Sequence, residues 1–160
     1  MLFSMKLSFL VRRVEATPAL AAKFSSLGKN QFVYRVYAQI VFLLPDGSES
    51  FPITGIIDTG ASFSLFPQRI LDEFPGVRTE DHTLWGIVDA PECHVHAKLA
   101  VVNIRLVDKD STKSGSLSIV GAFSSNDKIP VLIGMKDLLA TFHSCIDPSR
   151  GVFELNLPDK

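Results

Sequence analysis

Asp58 stands where a chain seldom puts a carboxylate. It follows the apolar run Gly55-Ile56-Ile57 directly and opens the triplet Asp58-Thr59-Gly60, after which come the small residues Ala61 and Ser62. A carboxylate beside a core is either held by hydrogen bonds or put to use. Gly60 lets the backbone pass close to that carboxylate and offers its N–H as a donor. The Thr59 hydroxyl both donates and accepts, so it can lock the turn against a neighbouring strand or subunit. Taken alone, the triplet also fits an Asx-type turn closing a strand. Its setting raises it above that, together with a second motif far downstream, Val131-Leu132-Ile133-Gly134-Met135-Lys136-Asp137-Leu138-Leu139. This second stretch is a buried-strand signature, a glycine, and then the start of an apolar-faced helix.

Other chemistry-bearing residues read as structural. His94-Val95-His96 sets two imidazoles on one face of a strand, with His82 on a candidate partner strand, and zinc can use such a pair. No His-Glu-x-x-His pattern or acidic third ligand accompanies them, so they are expected to face solvent and no metal is assigned. Cys145 has no basic neighbour or helix N-terminus to favour a thiolate and reads as a small buried residue. Asp72, Glu73, Glu80 and Asp81 read as a solvated face, and Asp147 to Gly151 as a turn into the last strand.

The elements that must position Asp58 are mostly strands. Twelve phenylalanines and many valines and isoleucines suit pleated, half-buried surfaces. Phe32 to Ile40 alternates with the period of two, Pro45-Asp46-Gly47-Ser48 is a hairpin turn, and a strand from Glu49 to Ile57 delivers the chain to Asp58. Pro67 opens a predicted short helix from Gln68 to Phe74. Strands follow over Thr83 to Val88, Cys93 to Val107, Leu117 to Phe123, Val131 to Ile133 and Val152 to Leu157. A polar loop spans Asp108 to Ser116, and a short helix is predicted from Asp137 to His143. Ahead of all this, Met1 to Arg13 reads as a strand. Thr17 to Leu27 reads as a helix with Thr17 as N-cap and Pro18 at its first position. Residues 1–30 are expected to form an extension, and 31–160 the main domain.

The two motifs together resemble the retropepsin-like aspartic proteases, the retroviral enzymes and their stand-alone cellular and bacterial relatives. Ile56 to Ser62 is similar to that family's catalytic loop, and Val131 to Leu139 to its apolar-apolar-Gly-x-Asp/Asn-Leu segment. Leu84-Trp85-Gly86-Ile87-Val88-Asp89-Ala90 lies where the family carries a flap hairpin. The resemblance covers about residues 31 to 157. It implies a mainly β fold of closed, barrel-like sheets with one or two short helices. It also implies a homodimeric aspartic endopeptidase that hydrolyses an extended polypeptide without a cofactor, Asp58 serving as the catalytic carboxylate of each subunit. Thr59, Gly60 and Ala61 would support the loop, and Trp85, Gly86, Ile87 and Val88 would contact substrate from the flap. Phe153 and Leu155 would join the dimer interface. With Ala61 in place of a hydroxyl, the expected pH optimum is less acidic than that of digestive aspartic proteases. The sequence departs from the family in the extra Lys136, in a flap without a Gly-Gly tip, and in its first thirty residues. An inactive peptide-binding or scaffolding module on the same fold is the alternative.

Composition narrows the classes further. The chain has 160 residues with 16 basic and 17 acidic side chains, a net charge of -1, so no nucleic acid or anionic membrane is expected as partner. The longest aliphatic or aromatic run, Ile40 to Leu44, is far short of the about 20 residues a spanning helix needs. Arg12-Arg13 follow the first apolar stretch instead of preceding it, unlike a signal peptide. Two cysteines, Cys93 and Cys145, are too few for a disulfide framework, so a cytoplasmic location is expected.

Overall fold

Strand alternation decides most of this molecule, and the long strand that carries it most clearly is also the hub of the sheet. The computed structural model describes residues 6–85 and 94–156. The chain runs β1 (Lys6–Glu15), α1 (Pro18–Ser26), β2 (Phe32–Phe42), β3 (Ile53–Ile57), β4 (Ser64–Pro67), a 3₁₀ helix (Gln68–Glu73) and β5 (Thr79–Leu84). It continues through β6 (Val95–Val107), β7 (Leu117–Ser124), β8 (Leu132–Ile133), a second 3₁₀ helix (Leu139–Thr141), β9 (His143–Asp147) and β10 (Val152–Asn156). The fold is mainly β, as the residue mix predicts.

The strands lie in the order β5-β6-β7-β4-β8-β3-β2-β1-β10-β9. The second half of β6 also pairs with β2, Gln39 opposite Val107 and Phe42 opposite Ile104, which joins β2, β3, β8, β4, β7 and β6 into a ring. Val36, Ala38, Ile40 and Phe42 of β2 point into the core enclosed there. Phe66 packs edge-on against Phe42 with ring centroids 5.1 Å apart and lies 5.4 Å from Phe123, so β4 is pinned by aromatic contacts. The predicted turn after β2 forms: Asp46 accepts hydrogen bonds from the N–H and hydroxyl of Ser48, which hold its carboxyl below the usual range.

Within the expected extension, Lys6–Glu15 joins the sheet, and three other expectations are corrected. β1 lies between β2 and β10, pairing Arg12 with Arg35 and Phe9 with Phe153, and it buries Leu7 and Phe9 completely or nearly so. The helix predicted over Asp137 to His143 is replaced by a turn and a short 3₁₀ segment. Asp137 takes a left-handed φ of 60°, its carboxylate accepts the N–H of Val120, and His143 already starts β9 against β10. Phe153 and Leu155 are 4% and 0% exposed within their own subunit, so the core claims them and no interface can. Cys145, expected to be buried, is exposed on β9.

The polar loop after β6 is also more than a connection. Asp108 is 9% exposed, and its carboxylate accepts the N–H groups of Asp110, Thr112 and Ser8, latching the loop to β1. Among the described residues no helix is long and apolar enough to cross a membrane. Because β1 fills the core, Phe9→Ala is expected to cost about 3–5 kcal/mol in urea denaturation, as for other buried aromatic truncations. A loss below about 1 kcal/mol would make β1 an appendage.

Candidate active site

β3 is a short apolar strand, and its end decides where Asp58 goes. Ile57 is buried, Asp58 is half-buried, and Thr59 and Gly60 are exposed, so the chain leaves the core at the carboxylate. The Gly60 N–H donates to Asp58 Oδ1 at 2.9 Å, and the Ala61 N–H donates to the Asp58 carbonyl at 3.2 Å. The loop is thus a tight turn that fixes one carboxylate oxygen by a backbone donor. Among the described residues no cation forms an ion pair with Asp58.

The second motif is what holds that loop in place. β8 runs parallel to β3, pairing Ile57 with Ile133, and the Asp58 N–H donates to the Ile133 carbonyl at 2.9 Å. One residue later the Gly134 N–H donates to Ser64 Oγ at 3.0 Å, in a fully buried setting. The N–H groups of Met135 and Lys136 donate to the carbonyls of Ala61 and Ser62 at 2.9 and 2.8 Å. The two segments therefore lace together from Asp58 to Ser64. The glycine is obligatory here, because a Cβ on residue 134 would lie 2.3 Å from the Phe63 carbonyl oxygen. The extra Lys136 is absorbed by its own bond to Ser62, with the left-handed Asp137 behind it.

Of the residues read from sequence, Asp58, Thr59, Gly60 and Ala61 share this loop. Trp85 stands at the end of the antiparallel β5–β6 ribbon, 62% exposed, its ring 4.3 Å from that of His94. Gly86, Ile87 and Val88 lie outside the described residues, as does the end of the strand predicted over Thr83 to Val88. The histidines scatter: His96 Nδ1 lies 3.2 Å from Thr83 Oγ1, and the His82 ring meets Phe63 edge-on at 5.8 Å. No group of three or more metal-ligating side chains gathers among the described residues.

Ser64 braces the site without any mark in the motifs themselves; its signal is a hydroxyl between Phe63 and Leu65, which a core tolerates only when it is bonded. Arg35 lies on the neighbouring strand and forms no ion pair with Asp58 among the described residues. The register that sets Val36 opposite Ile57 places Arg35 level with Asp58, and Arg12 of β1 is paired with Arg35 in turn.

No protein-family model matches this chain, and no curated protein does. Among solved structures the chain is similar to the crystal structure of a retropepsin-like aspartic protease from Rickettsia conorii. The two are 16% identical over 98% of this chain and 97% of that one, with a TM-score of 0.45.

The lacing gives a direct test. Gly134→Ala is expected to lose cooperative thermal unfolding or to cost about 3 kcal/mol, since overpacked cores pay about 1–3 kcal/mol and here the obstacle is backbone. Ser64→Ala, which strands the buried Gly134 N–H, is expected to cost about 1–3 kcal/mol. Wild-type stability in both variants would show that the two motifs do not depend on each other.

Proposed function

We propose that this chain is an aspartic endopeptidase of the retropepsin-like type, active as a homodimer in which each copy supplies one Asp58. The observation that carries this reading is the carboxylate at the exposed end of β3, fixed by the Gly60 N–H and braced by the Gly134 segment. A carboxylate so placed is accessible to water and substrate yet cannot swing freely. An acid–base pair needs a second carboxylate on the same water, and the sequence holds a single Asp-Thr-Gly. A two-fold axis through the loop supplies the second one from the other copy, since an isologous contact brings the same residue to the axis from both sides.

In that arrangement the ionised carboxylate takes a proton from water as the water oxygen bonds to the peptide carbonyl carbon. The protonated partner carboxyl donates to the carbonyl oxygen. Two carboxylates this close do not ionise together, which keeps one in each state; aspartic proteases are a standard instance of that split. Collapse of the tetrahedral intermediate breaks the C–N bond: the first carboxyl passes the proton it took from water to the amine nitrogen, and the second takes back the proton it gave to the former carbonyl oxygen. Thr59 braces the two loops, and Trp85 on the β5–β6 ribbon covers an extended substrate together with Gly86, Ile87 and Val88. The strand-like substrate is bound by main-chain pairing with side-chain pockets for selection.

The test is cleavage of a mixed peptide library by wild-type and Asp58→Asn protein over a concentration series. The variant is expected to lose about 10²–10⁴-fold in rate, the usual contribution of a positioned acid or base. Wild-type activity is expected to rise more steeply than linearly at low concentration. The pH–rate profile is expected to peak above the ordinary aspartate value of about 3.9. Cleavage retained by Asp58→Asn would remove the reading, and a dimer that cleaves nothing would favour a binding module.

A further inference from the structure

Charge in this chain is segregated. Residues 1–40 carry six basic side chains and one acidic, while the remaining 120 carry ten basic and sixteen acidic. Lys6 pairs with Glu154 at the β10 end of β1, and the other five basic side chains ride on an arm made of the outer halves of β1 and β2 with α1 at the tip. There Arg13 lies over the Phe32 ring at 4.1 Å and Arg12 over the Tyr37 ring at 5.8 Å, held by rings and not by carboxylates. Among the described residues Arg12, Arg13, Lys23, Lys29 and Arg35 form no ion pair.

The helix on this arm lacks what usually sustains a short helix. It has nine residues, none buried, and Thr17 makes no side-chain cap bond. Helices below about 12–15 residues are marginal in water without packing on an apolar face. That face exists: Leu20, Phe24 and Leu27 follow helical spacing, and Leu27 is 71% exposed. Leu20 and Phe24 are half-buried by their own chain, and Leu27 stands open beside them.

We infer that the arm is a clamp for a second copy of this chain, gripping the partner's acidic body through Arg12 and Arg13 and covering Phe24 and Leu27 against it. Placement picks out this occupant. β2 runs on past the last β3 pair, so the arm leaves the sheet at the Asp58 end, with Arg35 level with Asp58. A copy that brings its own Asp58 to this one must pass along the arm, and the body it presents carries the opposite charge. This inference rests on the two-copy reading of the site.

Sedimentation velocity over a concentration series tests it with the full chain. Arg12→Glu/Arg13→Glu and, separately, Phe24→Ser/Leu27→Ser are each expected to raise the dimer dissociation constant at least about tenfold. Far-UV circular dichroism checks that both remain folded. Salt is expected to weaken the wild-type dimer and to leave the charge-reversed one little changed. Asp58→Asn is expected to dimerise like wild type while losing cleavage. Folded arm variants that dimerise like wild type would overturn the clamp and leave the protease reading intact if their cleavage still depends on Asp58. A wild type that stays monomeric overturns the clamp, and cleavage by that monomer would overturn the two-copy site as well. Binding of a labelled single-stranded RNA that vanishes in Arg12→Glu/Arg13→Glu, with dimerisation unchanged, would replace the clamp by a nucleic-acid surface.

Discussion

Between the Phe63 carbonyl and the α-carbon of Gly134 there is no room for a side chain. That contact, with the buried bond from the Gly134 N–H to Ser64, is the constraint on which the site depends. It joins segments 70 residues apart in sequence and sets their spacing to within a backbone's width. β3 and β8 are thereby forced parallel, and the Asp58 loop inherits a rigid floor that its own exposed residues could not provide. A loop of Thr, Gly and Ala would otherwise be free to sample many conformations. The stiffness comes from backbone groups, so it asks nothing of the side chains that face solvent.

The same economy appears at the sheet's middle. β1 fills its place with Leu7 and Phe9, and the polar loop after β6 is fastened to it by Asp108. A carboxylate that collects three backbone N–H groups is well satisfied although nearly buried. It contrasts with Asp58, which accepts one N–H and keeps the rest of its surface open. The chain thus carries one aspartate spent on architecture and another with acceptor capacity left over, distinguished by how many donors surround each.

Much of the strand pattern was legible because alternation is a local signal. β2, β6, β7 and the hairpin turn at Asp46 could be read from a few neighbouring residues, whereas the lacing of the Asp58 loop to the Gly134 segment appears only in the fold. What failed was decided at long range. β1 reads locally as a strand with no visible partner, and only the fold supplies β10. Asp137 to Leu139 has helical composition, but the Val120 N–H captures the Asp137 carboxylate and β10 offers the following residues a ladder. Phe153 and Leu155 read as apolar positions on a terminal strand, and sequence alone does not say which surface buries them. Arg35 became visible only through register, which no window of a single strand contains.

The pairing of Lys6 with Asn156 and of Phe9 with Phe153 has a kinetic consequence. A sheet whose interior is closed by residues from opposite ends of the sequence is dominated by non-local contacts, and such topologies fold slowly because loop closure must precede the reward. During synthesis, β1 is made long before β10 and waits for it. Until then its apolar residues and one whole edge of β1 lack their final partner, in the period when chains are most prone to misassociate. The Asp58 loop, whose floor also comes from the second half of the sequence, matures in the same late step.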